Sequence, residues 1–360
     1  MNRSLTLATI VGLSVFLVSC TKSSSNSTAA FDPWNAPTGN LIDGATLADG
    51  WRDLRELPAP VAVSGGWTDS AAVTGDGRHL YYAYTTLDFG LFQDSGGATQ
   101  NFSGPSRPGM TGGHFKMFRA DLSAAGWREN FLPFNGAANV HEASASPNAA
   151  GDLIVFSRFD SSGVATMYLT SLVGGNWSTP AALPTAPAVN SPNSTCTNDN
   201  GFIVGTLAAG YTLYFESNRA TAAGSSCRGD GKSRLYMVDY TPGSGFGTPQ
   251  AVPGLDLLEA GESDTQISVS ADKSKVYFTH SSNTAYGVYT AGWSGSTYSG
   301  LVQIVTPNFA SPFTGKLVMT GEANVATTPS GTLLYMMCGI GQSETAQHNP
   351  RIVPCVARKP

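Results

Sequence analysis

Charged side chains are scarce in this sequence. They make up 12% of its 360 residues, about half of the share that is usual for globular domains. A basic excess is also absent, because 20 Lys and Arg residues stand against 25 Asp and Glu residues, for a net charge of −5. Proteins that bind nucleic acids normally have such an excess and concentrate it in a patch. The charge balance therefore argues against a nucleic-acid partner.

Residues that favour surface helices are few for the same reason. Helices exposed to water rely on Glu, Lys, Arg and Gln, whereas this chain contains 41 Gly and 21 Pro, which favour turns. Hydrophobic residues make up 41% of the chain, which is enough for a sizeable core. The composition therefore predicts an all-β, exported protein.

Short catalytic motifs are absent as well. The sequence contains no Gly-x-Ser-x-Gly elbow, no P-loop and no Rossmann glycine fingerprint. It also contains no Cys-x-x-Cys pair of the kind that binds zinc. These absences argue against the enzyme classes and the metal sites that such motifs identify.

The apolar run at the N terminus extends from Leu5 to Val18, which is shorter than the about 20 residues that span a bilayer. It follows the basic Arg3 and ends in Leu17-Val18-Ser19-Cys20, as a secretory signal peptide does. These last four residues resemble the lipobox of bacterial lipoproteins, in which signal peptidase cuts before the cysteine and the sulfur becomes lipidated. The resemblance implies lipidation of Cys20. An ordinary signal peptide with a chance cysteine is the alternative.

A polar segment, residues 21–29, follows Cys20 and consists mainly of Ser, Thr and Asn, a composition that buries too little surface to fold. We therefore divide the chain into a signal peptide (1–19), a lipidated cysteine with a flexible tether (20–48) and a folded domain (49–360). Several acyl chains on Cys20 would anchor the protein to a membrane. Residue 21 is Thr and not the Asp that retains enterobacterial lipoproteins in the inner membrane, which favours the outer membrane of a bacterial cell envelope.

A structural unit recurs five times in the folded domain. Each copy has a strand of small residues, a turn, a strand ending in an aliphatic and an aromatic residue, and a third strand. The aliphatic positions Leu80, Ile154, Leu213, Val276 and Leu334 are separated by 74, 59, 63 and 58 residues. A period near sixty residues with three or four strands per copy is typical of propeller blades. An array of all-β sandwiches is the alternative to a propeller.

The repeat predicts an all-β, five-bladed β-propeller, with six blades as the alternative. The last copy ends at its third strand, and residues 51–58 before the first copy have the pattern of a lone fourth strand. We expect this N-terminal strand to pair with the last blade, which would close the ring and cover an exposed sheet edge.

The repeat resembles that of the TolB-like propeller family. The turn residues Thr74-Gly75-Asp76-Gly77, Ser146-Pro147 and Ser270-Ala271-Asp272 each match part of the family pattern. The resemblance covers residues 50–360 and implies a propeller. It does not imply an activity, because the family includes periplasmic adaptors, lipoproteins and propeller modules attached to enzymes.

The repeat also predicts how the cysteines pair. With Cys20 lipidated, four cysteines remain, and in an oxidising compartment an even number suggests two disulfides. Cys338 and Cys355 fall on adjacent strands of the last copy. Cys196 and Cys227 fall in two loops on one face of the third copy. We therefore expect the disulfides Cys196–Cys227 and Cys338–Cys355.

Polar residues cluster where the chain enters the innermost strand of each copy, which is the rim where propellers usually bind ligands. The predicted binding rim contains Asp69, Glu142, Asp264, Glu322, His141 and Trp67, with Asp199 and Asn200 near it in copy three, and His114, His280 and His348 on the same face. Such residues can also serve only to cap the channel and cross-link blades. An oxygen-rich rim is suited to Ca²⁺, and imidazoles with carboxylates to Zn²⁺ or Mn²⁺, but the spacing identifies no metal ligands. The expectation is a site without a cofactor, with Ca²⁺ as the alternative.

The predicted function is that of a binding module for an envelope protein or a glycan. Most aromatic residues of the chain are expected in the core, but four could instead line the rim: Trp67, Phe89, Phe92 and Phe102. Exposed aromatic rings on such a face stack on sugars or anchor protein partners. The alternative is a glycan-active enzyme similar to five-bladed glycoside hydrolases, which needs two carboxyl groups across a sugar. Its candidate catalytic residues are Asp69 with Glu142 or Glu322.

Overall fold

The structure is a computed structural model that describes residues 31–94, 100–110, 113–185, 190–221, 226–255, 262–282, 284–344 and 350–360. Regular structure in these ranges is almost entirely β, as predicted. The exceptions are a 3₁₀ helix, Pro33–Asn35, and the helix α1, Phe89–Asp94. In the described ranges no helix has the length and apolar character needed to span a membrane. Cys20 and the predicted signal peptide lie outside the described residues.

The strands form five antiparallel units, called here blades one to five after the predicted repeat, in which consecutive strands pair. Two short strands precede them: β1 (Thr46–Leu47) and β2 (Arg52–Glu56). Blade one consists of β3 (Trp67–Val73), β4 (His79–Thr85), β5 (Lys116–Ser123) and β6 (Gly126–Phe131), and blade two of β7 (His141–Pro147), β8 (Leu153–Phe159), β9 (Ala165–Val173), β10 (Asn176–Trp177) and β11 (Ala181–Ala182). Blade three consists of β12 (Asn198–Thr206), β13 (Gly210–Ser217), β14 (Arg234–Thr241), β15 (Gly245–Phe246) and β16 (Gln250–Ala251). Blade four consists of β17 (Ser263–Val269), β18 (Lys275–Ser281), β19 (Tyr286–Trp293) and β20 (Tyr298–Thr306), and blade five of β21 (Leu317–Thr328), β22 (Gly331–Gly341) and β23 (Pro350–Lys359).

The first strands of the blades surround a central channel. In the described part of the chain, β3 contacts β7, β7 contacts β12, β12 contacts β17, β17 contacts β21, and β21 returns to β3. A parallel bridge between Ile352 and Trp67 joins blades five and one into a single eight-stranded sheet. Because the sheets do not divide into equal blades, the blade number stays a prediction, with five as the expectation and six as the alternative.

The N-terminal strand pairs with the last blade, as the sequence predicts. β2 runs antiparallel to β23, with Arg55 opposite Val356 and Glu56 opposite Cys355. Leu54 in this strand is only 2% exposed and lies in one hydrophobic cluster with Val353 of β23. The pairing covers the edge that β23 would otherwise present to solvent.

Residues 31–48, which the composition assigns to the flexible tether, lie against the blades. β1 pairs with β20 of blade four. Ile42 is buried, and Trp34 packs against a hydrophobic cluster formed by blades one and five. The folded part of the chain therefore includes residues before 49. The composition of the segment hides this, because its few apolar residues are spaced too irregularly to predict a strand.

The core lies between neighbouring blades. In β4 the residues from Leu80 to Tyr84 are at most 1% exposed, because both faces of a blade pack against another blade. Tyr82 lies in a cluster with Tyr335 of blade five, whereas Tyr81 faces the other way and lies in a cluster with Phe156 of blade two. Strands buried on both faces appear as continuous apolar runs without alternation, which is the pattern of the second strand in each copy.

The turn residues behind the TolB-like resemblance have a local structural role. Thr74 Oγ1 donates a hydrogen bond to Asp76 Oδ1 (2.6 Å), and the same carboxylate oxygen accepts from the backbone N–H of Arg78 (3.1 Å). In blade four, Ser270 Oγ donates to Asp272 Oδ1 in the same way (2.6 Å). Asp at this position stabilises a tight turn between the first and second strands.

Both predicted disulfides are present. Cys338 of β22 and Cys355 of β23 lie on adjacent strands, with Cα atoms 6.0 Å apart. Cys196 precedes β12 and Cys227 lies between β13 and β14, with Cα atoms 5.5 Å apart. Each disulfide therefore links two segments of a single blade.

The closing strand can be tested by truncating its buried side chain. We expect Leu54→Ala to lower the free energy of unfolding by about 2–5 kcal/mol, because it removes a fully packed side chain from the contact between β2 and blade five. The matched control is Leu301→Ala, since Leu301 is 54% exposed, and its effect should stay within about 0.5 kcal/mol. Urea denaturation of the two variants measures both values. Equal effects would show that β2 does not contribute to closing the ring.

Candidate functional site

Each first strand contains a bulge at the same level of the channel. The register between the first and second strands shifts at this point in all five blades. One residue of each bulge has a positive φ angle, between 48° and 62°: Ser70, Ser144, Asn200, Gln266 and Glu322. Residues other than glycine rarely adopt this conformation, and they persist in it only where the surrounding structure enforces it. The five bulges are therefore a shared constraint of the channel wall.

The backbone N–H groups of four of the five bulge residues donate to side chains of a neighbouring blade. Ser144 N donates to Ser70 Oγ (3.1 Å), Ser70 N donates to Glu322 Oε2, and Glu322 N donates to Gln266 Oε1 (3.1 Å). We call the five bulge residues, Ser70, Ser144, Asn200, Gln266 and Glu322, the bulge ring. Its hydrogen bonds connect blade two to blade one, blade one to blade five, and blade five to blade four.

The series of hydrogen bonds ends in blade three at two carboxylates. Gln266 N donates to Glu216 Oε2 (2.8 Å), and Asn200 N donates to Oδ1 of its own neighbour Asp199 (2.7 Å). Asp199 of β12 is directly opposite Glu216 of β13. Carboxylates therefore take part in the bulge ring from blades three and five.

A cavity of about 840 Å³ lies against the bulge ring. Its lining residues include four members of the predicted rim: Trp67, Asp69, His141 and Glu322. Trp67 and Asp69 reach it together because they are two positions apart on β3 and so share a face of the strand. The structure therefore brings four of the predicted rim residues together at one cavity.

Aromatic rings form one wall of the cavity. The ring of Trp67 lies edge to face against Phe89 of α1, with centroids 4.6 Å apart, and against Phe115, with centroids 4.8 Å apart. All three line the cavity, as does Tyr286 of β19. The short helix α1 belongs to the insertion after β4, so this insertion supplies part of the apolar wall.

Two neighbouring carboxyl groups, Asp69 and Glu322, form the acidic wall of the cavity. Burial raises the pKa of Glu322 well above its ordinary range, and the neighbouring Asp69 raises it further. Burial also raises the pKa of Asp69 to about 6, although a hydrogen bond with Glu322 acts in the opposite direction. Two like charges in one site oppose each other's ionisation, so both shifts favour a protonated carboxyl group in this pair.

Glu216 lies under the same wall and is also protonated at neutral pH. Burial raises its pKa to about 8, and the facing carboxylate of Asp199 adds to the shift. Two ionised carboxylates directly opposite each other on neighbouring strands would destabilise the pair. The proton on Glu216 removes this repulsion.

Two histidines at the cavity form a directed hydrogen-bonded pair. His141 Nδ1 accepts from the backbone N–H of Phe115 (3.2 Å), which leaves the proton of His141 on Nε2, where it is donated to His114 Nδ1 (2.7 Å). Burial and the proximity of His114 and Lys116 lower the pKa of His141. The lowered pKa favours the neutral form of His141.

Glu142, predicted for both the rim and the alternative catalytic set, does not line the cavity. Its buried carboxylate accepts from Arg158 Nε (2.8 Å), Lys116 Nζ (3.2 Å) and the backbone N–H of Gly136 (2.6 Å). The residue equivalent to Asp69 in blade two is Ala143. An offset of one position along a strand turns a side chain to the opposite face, which explains the different surroundings of Glu142.

Asp264 is displaced in the same way. It stands one position before Thr265, which is the blade-four equivalent of Asp69, and its carboxylate pairs with His280 Nδ1 at 2.7 Å. Burial raises the pKa of Asp264 to about 6. The predicted convergence of four carboxylates therefore holds for Asp69 and Glu322 and not for Glu142 and Asp264.

Two carboxyl groups of the site, Asp199 and Glu216, are not among the predicted rim residues. Asp199 is predicted only to lie near the rim, and Glu216 is not predicted at all. Asp199-Asn200-Gly201 matches Asp69-Ser70-Ala71 as an acidic, a polar and a small residue, and this pattern could have placed Asp199 in the rim. Glu216 carries no such signal, because it belongs to a second strand.

Ca²⁺ is the predicted alternative to a site without a cofactor, and the described residues can be searched for a set of metal ligands. No group of three or more His, Cys, Asp and Glu side chains is placed there to hold a metal ion. His348 lies outside the described residues. His79, which the repeat places on the other face, pairs with Asp121 (2.7 Å) away from the cavity.

Comparison with known proteins adds evidence on the fold. No protein-family model and no curated protein sequence matches the chain. Among solved structures, a thermostable family-43 glycoside hydrolase is similar, with a TM-score of 0.51 and 12% identity, over 83% of this chain and 91% of that chain. The catalytic domain of a GH62 alpha-L-arabinofuranosidase from Coprinopsis cinerea has a TM-score of 0.44 and 9% identity over 89% and 95%. TolB from Acinetobacter baumannii has a TM-score of 0.38 and 14% identity over 82% and 55%.

These similarities concern the fold and not the chemistry, because the identities are low. Together with the closed ring of first strands, the similarity to the family-43 structure identifies the fold of the chain as a β-propeller. The strands enclose a channel, and a cavity with an aromatic wall and an acidic wall lies at the bulge ring.

Protonation of Glu216 predicts an unusual dependence of stability on pH. Its pKa rises from an ordinary 4.5 to about 8 in the folded protein. The stability that it contributes is therefore complete below pH 4.5, where folded and unfolded forms are both protonated, and is lost as the pH rises towards 8. We expect Glu216→Gln to flatten this decline, because the amide does not ionise.

Urea denaturation between these two pH values measures the effect. Glu344→Gln is the control, since Glu344 is an exposed glutamate, and it should decline as the parent does. If the free energy of unfolding of the parent protein depends on pH in the same way as that of Glu216→Gln, then Glu216 is ionised in the folded state.

Proposed function

We propose that the protein is a carbohydrate-binding propeller whose ligand occupies the cavity at the bulge ring. The observation that carries the proposal is the pairing of the aromatic wall around Trp67 with the acidic wall around Asp69 and Glu322. Sugars have apolar C–H faces that stack on aromatic rings and hydroxyl groups that bind carboxylates and amides.

The size and polarity of the cavity support this proposal. Its volume of about 840 Å³ lies within the range of about 300–1,000 Å³ that is usual for small-molecule sites. Asn200 and Gln266 add amide groups to the wall, and amides both donate and accept hydrogen bonds. Because these residues belong to the bulge ring, the polar groups stand on a rigid part of the channel.

Hydrolysis of a glycan is the second candidate function. Asp69 and Asp199 both line the cavity, from blades one and three, so they can approach a sugar from different sides. Asp69 and Glu322 cannot flank one, because they bond directly to each other, whereas the two carboxyls of glycosidases stand about 5 Å or more apart. In this function Asp69, with a pKa of about 6, would be the acid and Asp199 the base.

Membrane anchoring through Cys20 is a further part of the proposal, supported by the apolar run 5–18 and the polar residues after the cysteine. The protein would then present its cavity from a bacterial envelope, in the outer membrane. Membership of the TolB-like family is also proposed, on the turn residues Thr74-Gly75-Asp76-Gly77, Ser146-Pro147 and Ser270-Ala271-Asp272.

Replacing the central aromatic residue tests the binding site. We expect Trp67→Ala to weaken glycan binding by about 2 kcal/mol, or roughly 30-fold in Kd, as loss of a buried aromatic anchor does. Trp293→Ala is the matched control, because Trp293 is 42% exposed on β19 and does not line the cavity. A glycan array identifies ligands, and calorimetry measures their affinity.

The outcome also separates the two candidate functions. Equal binding by the two tryptophan variants would place the ligand elsewhere on the protein. New reducing ends in the incubated glycans, lost in Asp199→Asn, would identify a hydrolase.

The anchor can be tested by a single substitution. We expect Cys20→Ala to abolish lipid attachment and to move the protein from the detergent phase to the aqueous phase, because no acylated sulfur remains. Phase partitioning and metabolic labelling with a fatty acid measure the two effects. A variant that partitions like the parent would show that another segment holds the membrane.

A further inference from the structure

We propose that the cavity selects glycans that carry a free, positively charged amino group over neutral and acidic ones. This inference rests on the proposed carbohydrate-binding function and names the class of sugar. Its basis is the one-sided charge of the cavity and the presence of carboxyl groups and aromatic rings in one lining.

The described lining of the cavity contains acidic residues and no Lys or Arg. Asp69, Asp160, Asp199 and Glu322 line it, and Glu216 lies beneath Asp199. A uronic acid, a sialic acid or a phosphorylated sugar would bring a further negative charge to this surface. Like charges placed together cost several kcal/mol and exclude the wrong partner. Acidic glycans are therefore poor ligands.

The cations next to the cavity are already neutralised. Lys116 donates to Glu142, and its ammonium also donates to the carbonyl oxygens of Ala137 (2.7 Å) and Val140 (2.8 Å). Arg158 donates to the same carboxylate. Glu142 therefore keeps both cations of blade two away from the ligand, and the carboxyl groups of the cavity have no protein cation as a partner among the described residues that line it.

The carboxyl groups of Asp69 and Glu322 are stabilised by protonation and not by a cation of the described lining. Asp69 and Glu322 are hydrogen-bonded neighbours that both line the cavity, and burial raises the pKa of each, which favours a proton held by the pair. A ligand ammonium within hydrogen-bond distance would bind both carboxylates and make this proton unnecessary. Binding of an amino sugar should therefore release a proton from the pair to the solvent, and a neutral sugar should not.

The aromatic wall favours the same ligand. Among aromatic side chains, the ring face of tryptophan attracts cations most strongly. Asp69 lies two positions after Trp67 on the same face of β3. A sugar stacked on Trp67 would hold an amino substituent between the ring and the carboxylates. The acidic residues and the aromatic ring of the cavity thus both favour a ligand with a positively charged amino group.

Calorimetry with two matched probes tests the inference. We use a short oligomer of β-1,4-linked glucosamine and its fully N-acetylated counterpart, at a pH near 6, the pKa of Asp69. We expect the amino form to bind about tenfold more tightly or better, which corresponds to about 1.4 kcal/mol. Its heat of binding should differ between buffers of different ionisation enthalpy, because a proton is released.

Titratable groups around the pair set the pH range. Those that face the cavity or lie against its wall are Asp160, Asp199, Glu216, His114, His141 and Tyr286. Protonation of His141 at lower pH would repel the ammonium, so the preference should weaken as the pH falls. The same titration repeated at lower pH checks this direction.

Variants assign the proton release to the pair. Asp69→Asn and Glu322→Gln should each lose the buffer dependence and most of the preference for the amino form. Asp264→Asn should retain both, since Asp264 is a buried carboxylate of an inner strand that does not line the cavity. Thermal melts show whether each variant is folded. If only one of Asp69→Asn and Glu322→Gln folds, that variant alone tests the role of the pair.

The outcomes separate this inference from the function on which it rests. Equal or tighter binding of the N-acetylated oligomer would overturn the amino-sugar preference and leave carbohydrate binding intact. If no glycan of any charge binds, the proposed function itself fails. Binding of the amino form without proton release would overturn the role of the Asp69–Glu322 pair.

Discussion

The hydrogen bonds of the bulge ring are the interaction on which the site depends. The five residues of the bulge ring adopt a positive φ angle, although none of them is glycine. A buried N–H without a partner costs about 1–3 kcal/mol, so each conformation persists because a side chain accepts the bond. Ser70, Gln266 and Glu322 supply these acceptors across blade boundaries. The ring therefore fixes how adjacent blades meet and where the wall of the cavity lies.

Buried carboxylates in this protein are neutralised in three different ways. Glu142 is paired with two cations, Lys116 and Arg158. Asp264 is paired with His280. In the cavity, by contrast, burial raises the pKa of Asp69 and Glu322, and no cation of the described lining offsets this shift. Only the last arrangement leaves the charge of the site open to change by a ligand, which separates structural from functional acidic residues.

Much of the fold could be predicted because it follows from patterns along the chain. The repeat spacing, the lone strand at 51–58 and the cysteine positions each depend on local sequence and simple strand pairing. Part of the site could be predicted for the same reason, since Trp67 and Asp69 are two positions apart on one strand. The rest could not, because a bulge changes the alternation of side chains without a hydropathy signal. Glu142 and Asp264 are one position out of phase with Asp69, and Glu216 reaches the site only through the pairing of β12 with β13.

The pairing of β2 with β23 has a consequence for the order of folding. Arg52 lies opposite Arg358, so the last contacts of the ring join the two ends of the described chain. Bringing such distant segments together costs loop-closure entropy before the contact stabilises anything, and folds with such distant contacts form slowly. Blades one to four can form their own hairpins while the chain is still being made. The ring itself can close only after the final strand has been synthesised, so until then the edge of β3 and the cavity wall beside it stay exposed.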